Sequence, residues 1–407
     1  MRVSDAVRAA ETIMSTKRCT RATLPKLLRD LWHSGAMRIG IMLRHFEQQE
    51  GGVKVYTKKL LPLLFSQGVR HRYILIYQNP KLLGTYAQYP NVEEVAVRMP
   101  GTVTWDQLAV PWVVHSKKID LIFNPKFTVP FFATAKKMFV LHGSEWFVIP
   151  EHFKKHDQWY FNAFVPLYCK RADAFIAVSN AVKADAVRHT GVKPDKVFAI
   201  HNGFDPQLFK PVREPDQRRA VRDKYNLPDK YILWCGQIES RKNVARLLRA
   251  FALIKDKVPH QLVLAGEQRW STRAELQVVQ ELKLEQRILF PGWIQHTDLP
   301  AVYSLADLFA FPSLYEGFGI PLIEAMACGC PIVTADTCAP PEVLDGAGYL
   351  VDPLKVEEIA AGMLKVLNDA PLRSTMIARG LERATAFGWE KCAAQVLAVF
   401  DTLEART

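Results

Sequence analysis

Short apolar runs that stop near a glycine or serine recur along this chain, and each is followed by a stretch with helical spacing. That alternation is the pattern of a parallel sheet wrapped by helices. The first run, residues 38–43, reads as a buried strand. Gly51-Gly52 follows it, and residues 53–65 have helical periodicity. Further strands are expected at 73–77, 119–123, 137–141, 174–178 and 197–200. Residues 206–228, rich in proline, arginine and aspartate, read as a linker. The pattern then restarts, with strands expected at 231–236, 261–266, 288–290, 308–311, 331–334 and 348–351. A chain of 407 residues is long enough for two cores rather than one. The expected fold is α/β, with two Rossmann-like doubly wound domains, 37–210 and 229–387, facing across a cleft. A last helix over 390–403, within a segment 388–407, is long enough to cross back to the first domain. Residues 1–36 form a basic extension whose interrupted apolar stripe suggests one or two amphipathic helices.

The net charge of +12 is unevenly distributed. Residues 37–228 carry 28 basic and 16 acidic side chains, whereas residues 229–387 carry 16 and 19. A one-sided basic field attracts acidic lipid headgroups or a phosphorylated acceptor, although a solvated basic surface is the plainer account. Nucleic acid is disfavoured as a partner, because the basic residues are dispersed and no known module appears. No run approaches the ~18 apolar residues of a membrane span, and the first ten residues are charged where a signal peptide is apolar. The seven cysteines are scattered and odd in number, which suits a reducing compartment. The expected location is cytoplasmic, with peripheral attachment to the inner face of the cytoplasmic membrane.

The densest chemistry lies in Glu316-Gly317-Phe318-Gly319-Ile320-Pro321-Leu322-Ile323-Glu324. It follows a strand and opens a helix. Its glycines allow close approach of backbone to a ligand, and a helix start offers unpaired N–H groups to a diphosphate. The two carboxylates are placed to accept hydroxyl protons from different parts of one ligand. Arg241-Lys242-Asn243 follows the strand ending at Gly236, at the same sheet edge. Paired cations there would neutralise a leaving diphosphate. No Gly-x-Gly-x-x-Gly follows the first strand at Leu43, which disfavours a dinucleotide dehydrogenase.

Together these motifs resemble the retaining glycosyltransferases of family 4, which have the GT-B fold, over residues 37–405. Glu316 to Glu324 is similar to their two-glutamate motif, and Gly236 with Arg241-Lys242 to their glycine and basic segment. The resemblance implies roles. Glu324 would hold the ribose hydroxyls and Glu316 the donor sugar. The backbone of Phe318, Gly319 and Ile320 would hold sugar or phosphate, and Arg241 and Lys242 the diphosphate. Gly51 and Gly52 resemble a glycine loop that approaches the donor phosphates. His142 resembles a histidine that faces the donor sugar, with Glu145 nearby, and Trp293-Ile294 a segment that frames the base. His201-Asn202-Gly203 reads mainly as a turn favouring left-handed backbone.

The implied reaction is metal-independent transfer of a hexose with retention, from GDP-mannose or a UDP-hexose to a glycan or lipid-linked acceptor. The setting expected for it is bacterial envelope or exopolysaccharide biosynthesis. No Asp-x-Asp pair is present to clamp Mg²⁺, so no metal or cofactor is expected. Rival readings are a nucleotide-sugar 2-epimerase on the same scaffold, or a non-catalytic anion- or nucleic-acid-binding protein.

Overall fold

The computed structural model of the chain describes residues 36–47, 51–266 and 273–405. All but the last residue of the basic extension, 1–36, lie outside the described residues. The first sheet has seven strands: β1 (Arg38–Met42), β2 (Arg72–Tyr77), β3 (Val92–Ala96), β4 (Leu121–Asn124), β5 (Lys136–Leu141), β6 (Ala174–Ala177) and β7 (Val197–Ala199). Their order is β3-β2-β1-β4-β5-β6-β7, and every pairing is parallel. The second sheet has six: β8 (Tyr231–Cys235), β9 (Gln261–Ala265), β10 (Ile288–Gly292), β11 (Leu308–Phe311), β12 (Ile332–Ala335) and β13 (Tyr349–Val351). Their order is β10-β9-β8-β11-β12-β13, again all parallel.

Helices cover both faces of each sheet, so the central strands are buried on both sides and read as continuous apolar runs. Ile39, Ile41, Leu233 and Phe309 have no exposed surface. Gly40 is glycine because a Cβ there would come within 2.8 Å of the Ile119 and Ile122 methyls. Strand β3 escapes sequence reading because Glu93 and Glu94 interrupt it. It lies at the sheet edge, where both carboxylates find partners. Glu94 accepts hydrogen bonds from the Tyr77 hydroxyl and the Tyr86 and Gly84 N–H groups. Glu93 pairs with Arg72 and Lys117.

The expected linker 206–228 is corrected by a helix, Pro215–Tyr225. Proline at its first position and Asn226 in left-handed conformation just past its end delimit it. Its polar composition is the solvent face; Val221 and Tyr225 are buried. The Tyr225 hydroxyl and the Lys224 ammonium both donate to Asp298, fixing the helix to the second domain.

Helix Trp389–Glu404 packs against helix Gly52–Gln67 of the first domain. Phe400 is fully buried and meets Phe123 of β4 edge-on, with ring centroids 5.5 Å apart. Gly203 serves this junction. A Cβ there would lie 2.2 Å from the Trp389 nitrogen. Neither Asn202 nor Gly203 has positive φ, so close approach, rather than a left-handed turn, is what requires the glycine.

Replacing Phe400 with alanine empties a site that cannot collapse onto a helix from another part of the chain. A loss of about 3–5 kcal/mol is expected, read as a lowered urea midpoint. An unchanged midpoint would show that the C-terminal helix is not part of the first domain's core.

Candidate active site

In both sheets the chain runs outward in opposite directions from a central pair of strands, β1/β4 and β8/β11. Such switch points open a crevice at the carboxyl edge, where ligands bind in open α/β sheets. At the second sheet, β8 leads through Gly236 (φ 152°) to the turn Ser240–Lys242. Gly236 and Gly266 pass so closely that a Cβ on Gly266 would lie 1.8 Å from the Gly236 oxygen. The loop after β11 is tied to this turn by the Leu314 N–H donating to the Arg241 carbonyl at 2.8 Å. Asn243, left-handed at φ 59°, braces both loops. Its side-chain amide donates to the carbonyls of Pro312 and Pro353 at 2.9 and 2.7 Å.

These supports aim Lys242 and Arg241 at Glu316. The Lys242 ammonium donates to Glu316 Oε1 at 2.6 Å and sits 4.7 Å from the centre of the Phe311 ring. The Arg241 guanidinium lies 3.8 Å from Glu316 Oε2 and donates to Glu239 at 3.0 Å. Burial alone would raise the Glu316 carboxyl, but the two cations more than offset it and hold the group below the usual carboxylate range. Both cations are therefore already engaged by carboxylates rather than aimed freely into a crevice.

Glu324 lies on helix Ile320–Ala327, entered through Gly319 at φ 92°. Its carboxylate accepts from the Tyr303 hydroxyl at 3.3 Å. Burial pushes its pKa up to about 8. The two glutamates of the motif thus differ in charge at neutral pH, one ionised and one protonated. The Phe318 ring is packed between His201 and Phe387, so what Phe318 presents is backbone. Ile320 begins the helix, partly buried.

The first domain closes on this segment. His142, after β5, is 2.8 Å from the Pro125 carbonyl through Nε2. A carbonyl only accepts, so Nε2 carries the proton and Nδ1 holds a lone pair. Burial lowers its pKa to about 4, which keeps the ring neutral. A Cβ on Gly317 would lie 1.9 Å from the His142 oxygen, so only glycine fits this seam. The Tyr315 hydroxyl accepts from the Ser144 N–H at 2.8 Å and donates to Asp185 at 3.2 Å. The Ser179 hydroxyl donates to the Gly317 carbonyl at 2.7 Å. Glu145 lies within electrostatic reach of Arg241 and Glu316, and burial raises its pKa against the pull of Arg241.

Glu342 reaches from the second domain to cap helix Asn180–Thr190, accepting from the Asn180 and Ala181 N–H groups at 2.9 and 3.1 Å. It also meets His201 Nε2 at 2.5 Å, so His201 is an interdomain contact and not merely part of a turn. Burial opposes ionisation of Glu342, but His201 and the two N–H groups hold its pKa down to about 2. Sequence reasoning missed Tyr315, Ser179 and Glu342. Their partners lie more than a hundred residues away, and only Ser179, before a helical stretch, carries a local capping signal.

Four expected residues are joined to the Glu316 cluster by no hydrogen bond among the described residues. Gly51 and Gly52 are exposed at the start of helix Gly52–Gln67, with open space where a Cβ would stand. Trp293 is 67% exposed beside buried Ile294.

Known proteins resemble this chain in sequence and in fold. The Glycosyl transferases group 1 family profile matches residues 217–383, and that of Glycosyltransferase Family 4 matches residues 50–208. The O-antigen chain mannosyltransferase B of Escherichia coli is 30% identical over 295 residues, covering 72% of this chain and 77% of that protein. The mannosylfructose-phosphate synthase of Agrobacterium fabrum is 28% identical, over 57% of this chain and 53% of its own length. Among solved structures, sucrose-phosphate synthase from Thermosynechococcus elongatus superposes with a TM-score of 0.74 at 22% identity, covering 91% of this chain and all of that one. The Anabaena protein HepE in complex with UDP-glucose gives 0.72 at 20% identity, covering 90% and all.

Lys242→Met leaves the Glu316 carboxylate buried with only Arg241, 3.8 Å away, for compensation. Loss of one partner of a buried pair is expected to cost about 3–5 kcal/mol, and adding Glu316→Gln to recover part of it. Urea unfolding of the two variants checks this. A double variant no more stable than the single would count against the pair.

Proposed function

The chain belongs to the family 4 glycosyltransferases of GT-B fold, and from that premise we propose that it transfers a hexose, mannose foremost, from a nucleoside-diphosphate sugar to a glycan or lipid-linked acceptor. The observation that carries this is the ionised Glu316 between Lys242 and Arg241, beside a helix start at the second sheet's switch point. In this reading the anomeric C–O bond breaks and the diphosphate leaves with the electron pair. Arg241 and Lys242 neutralise it, with no metal required. The acceptor hydroxyl bonds to the same face of the sugar, giving retention, and its proton passes to the departing phosphate oxygen. Glu316 orients the donor sugar and Glu324 the ribose hydroxyls. The Phe318-Gly319-Ile320 backbone meets sugar or phosphate. Gly51 and Gly52 approach the phosphates, and Trp293 and Ile294 flank the base. His142, with its Nε2–H committed to Pro125, meets a sugar hydroxyl as an acceptor through Nδ1.

The donor nucleotide in this reading is GDP or UDP. The name of the E. coli relative supports mannose, and the nucleotide sugar bound by HepE supports the latter base. That relative's name also favours envelope polysaccharide as the product. Among the described residues no helix is long and apolar enough to cross a membrane. Trp112, Phe132 and Trp159 stand 64%, 73% and 68% exposed on the first domain. Two amphipathic indoles and an apolar phenyl ring, exposed on a domain of net basic charge, favour peripheral contact with an acidic inner leaflet. An epimerase on this scaffold would instead convert donor without acceptor.

Glu316→Gln is expected to lower kcat on the order of 10²-fold with donor binding largely kept, measured by product formation from GDP-mannose and UDP-glucose with and without acceptor. Wild-type turnover in this variant would remove Glu316 from the reaction, and a rate lost in EDTA and restored by Mg²⁺ would overturn the metal-free proposal.

Glu324 supplies a pH signature. Its folded pKa of about 8 lies above the unfolded value. The stability it contributes is thus present at low pH and lost as pH rises to 8. Ribose hydroxyls prefer the carboxylate, so nucleotide binding below pH 8 releases a proton. Affinity should fall by up to about tenfold per pH unit below 8 and be flat above it. Titrations from pH 6 to 9 test this, and Glu324→Gln should abolish the slope.

A further inference from the structure

The first sheet has its own switch point, and none of the residues lining its crevice is assigned to the donor. Strand β1 leads into the turn Arg44–Glu47, and β4 ends at Asn124, two residues before Lys126. Between them lies a cavity of about 330 Å³, lined by Arg44, His45, Asp106, Lys126, Thr128 and Tyr160 among others. Asp106 sits on a π-helical turn, Trp105–Ala109, inside the helical stretch that runs from Thr102 to Ser116. Such turns are rare and concentrate at functional sites. Its carboxylate is oriented by a relay. The Thr128 hydroxyl donates to Asp106 Oδ2 at 2.8 Å and accepts from the Asn124 amide at 2.8 Å.

Among the described residues, charge in this crevice does not balance. The Arg44 side chain is only 18% exposed, yet its Nε makes no hydrogen bond and stands 3.9 Å from Asp106 Oδ1. Lys126, also partly buried, makes no ion pair among the described residues. His45 adds no charge, since burial and the neighbouring cations lower its pKa to about 3. Its Nε2 lies 3.0 Å from the Thr57 hydroxyl, which itself donates to the Val53 carbonyl. Among the described residues, two partly buried cations therefore face one carboxylate that already accepts from Thr128. Unbonded donors of a buried guanidinium are costly, and an oxyanion meets them in pairs.

Resting on the transferase reading above, we propose that this crevice binds a phosphate-class oxyanion carried by the acceptor, with Arg44 and Lys126 as its ligands and Asp106 as the carboxylate it competes with for Arg44. The position suits an acceptor. Pro125, between Asn124 and Lys126, is the residue whose carbonyl holds His142, so the crevice adjoins the place where the donor sugar is expected.

The test uses the full chain with the donor site first saturated by UDP or GDP, so that added anion is excluded from it. Calorimetric titration with inorganic phosphate is expected to show one site. Lys126→Gln and Arg44→Gln should each weaken it by about tenfold or more, with nucleotide affinity unchanged. Asp106→Asn should tighten it, because the competing carboxylate is gone, and phosphate should restore part of any melting temperature this variant loses. A structural role for the cations predicts no such restoration. Mannose 6-phosphate and a water-soluble prenyl phosphate, titrated in parallel, separate a sugar phosphate from a lipid phosphate as the source. Nucleotide binding without phosphate binding, or equal phosphate affinity in all variants, overturns the site and leaves the transferase reading standing. A chain that binds no nucleotide overturns both.

Discussion

A carboxylate buried in protein stays ionised only if cations or hydrogen-bond donors are held against it. Glu316 meets that condition through Lys242 and Arg241, which belong to the loop of a different strand. The pair therefore locks the loop after β8 to the loop after β11, and the Asn243 amide and the Leu314 N–H secure the same two loops through backbone. The residues on either side of the charge make the interdomain seam, with Tyr315 on the Ser144 N–H and Gly317 against the His142 carbonyl. Charge and seam are consecutive in the chain, so a displacement of one displaces the other.

The same loop and helix set two carboxylates to opposite protonation. Glu316 is depressed by paired cations, whereas Glu324 has only a tyrosine hydroxyl to offset burial and is raised. Two titratable groups whose environments push them apart are suited to different tasks at one pH. Under the proposed function, a group that orients a sugar while diphosphate charge develops nearby gains from a fixed negative charge. A group that meets a neutral diol tolerates a proton until the ligand arrives.

How much of this was legible in sequence follows from locality. Central parallel strands are buried on both faces, so runs such as 231–235 and 308–311 announce themselves. The edge strand β3 did not, because Glu93 and Glu94 are tolerable only where an edge offers Arg72, Lys117 and turn N–H groups. Helix Pro215–Tyr225 was hidden by a polar composition that belongs to its solvent face. Within the site, Arg241, Lys242, Glu316 and Glu324 could be picked out because each lies a short step past a strand end. That Glu316 would be the partner of Lys242 could not, since 74 residues separate them. Glu342 and Tyr315 act across the cleft on residues still farther away in sequence, and no spacing rule encodes such contacts.

The basic excess of the first domain also changes meaning once its residues are placed. Many of its lysines are surface charges whose field is screened within about 8–10 Å at physiological salt, so they steer only what is already close. Arg44 and Lys126 differ, being partly buried and lining a crevice in which Asp106 is the one carboxylate among the described residues. In the second domain the site cations are matched by Glu239 and Glu316. In the proposed reaction, a diphosphate entering there exchanges with carboxylates already in place. Among the described residues, an anion entering the first crevice displaces no ion-pair partner of Lys126 and meets a guanidinium whose Nε is unbonded. The two switch points share one topology but are electrostatically unlike, and a reaction that joins a charged donor to a separate acceptor has use for that difference.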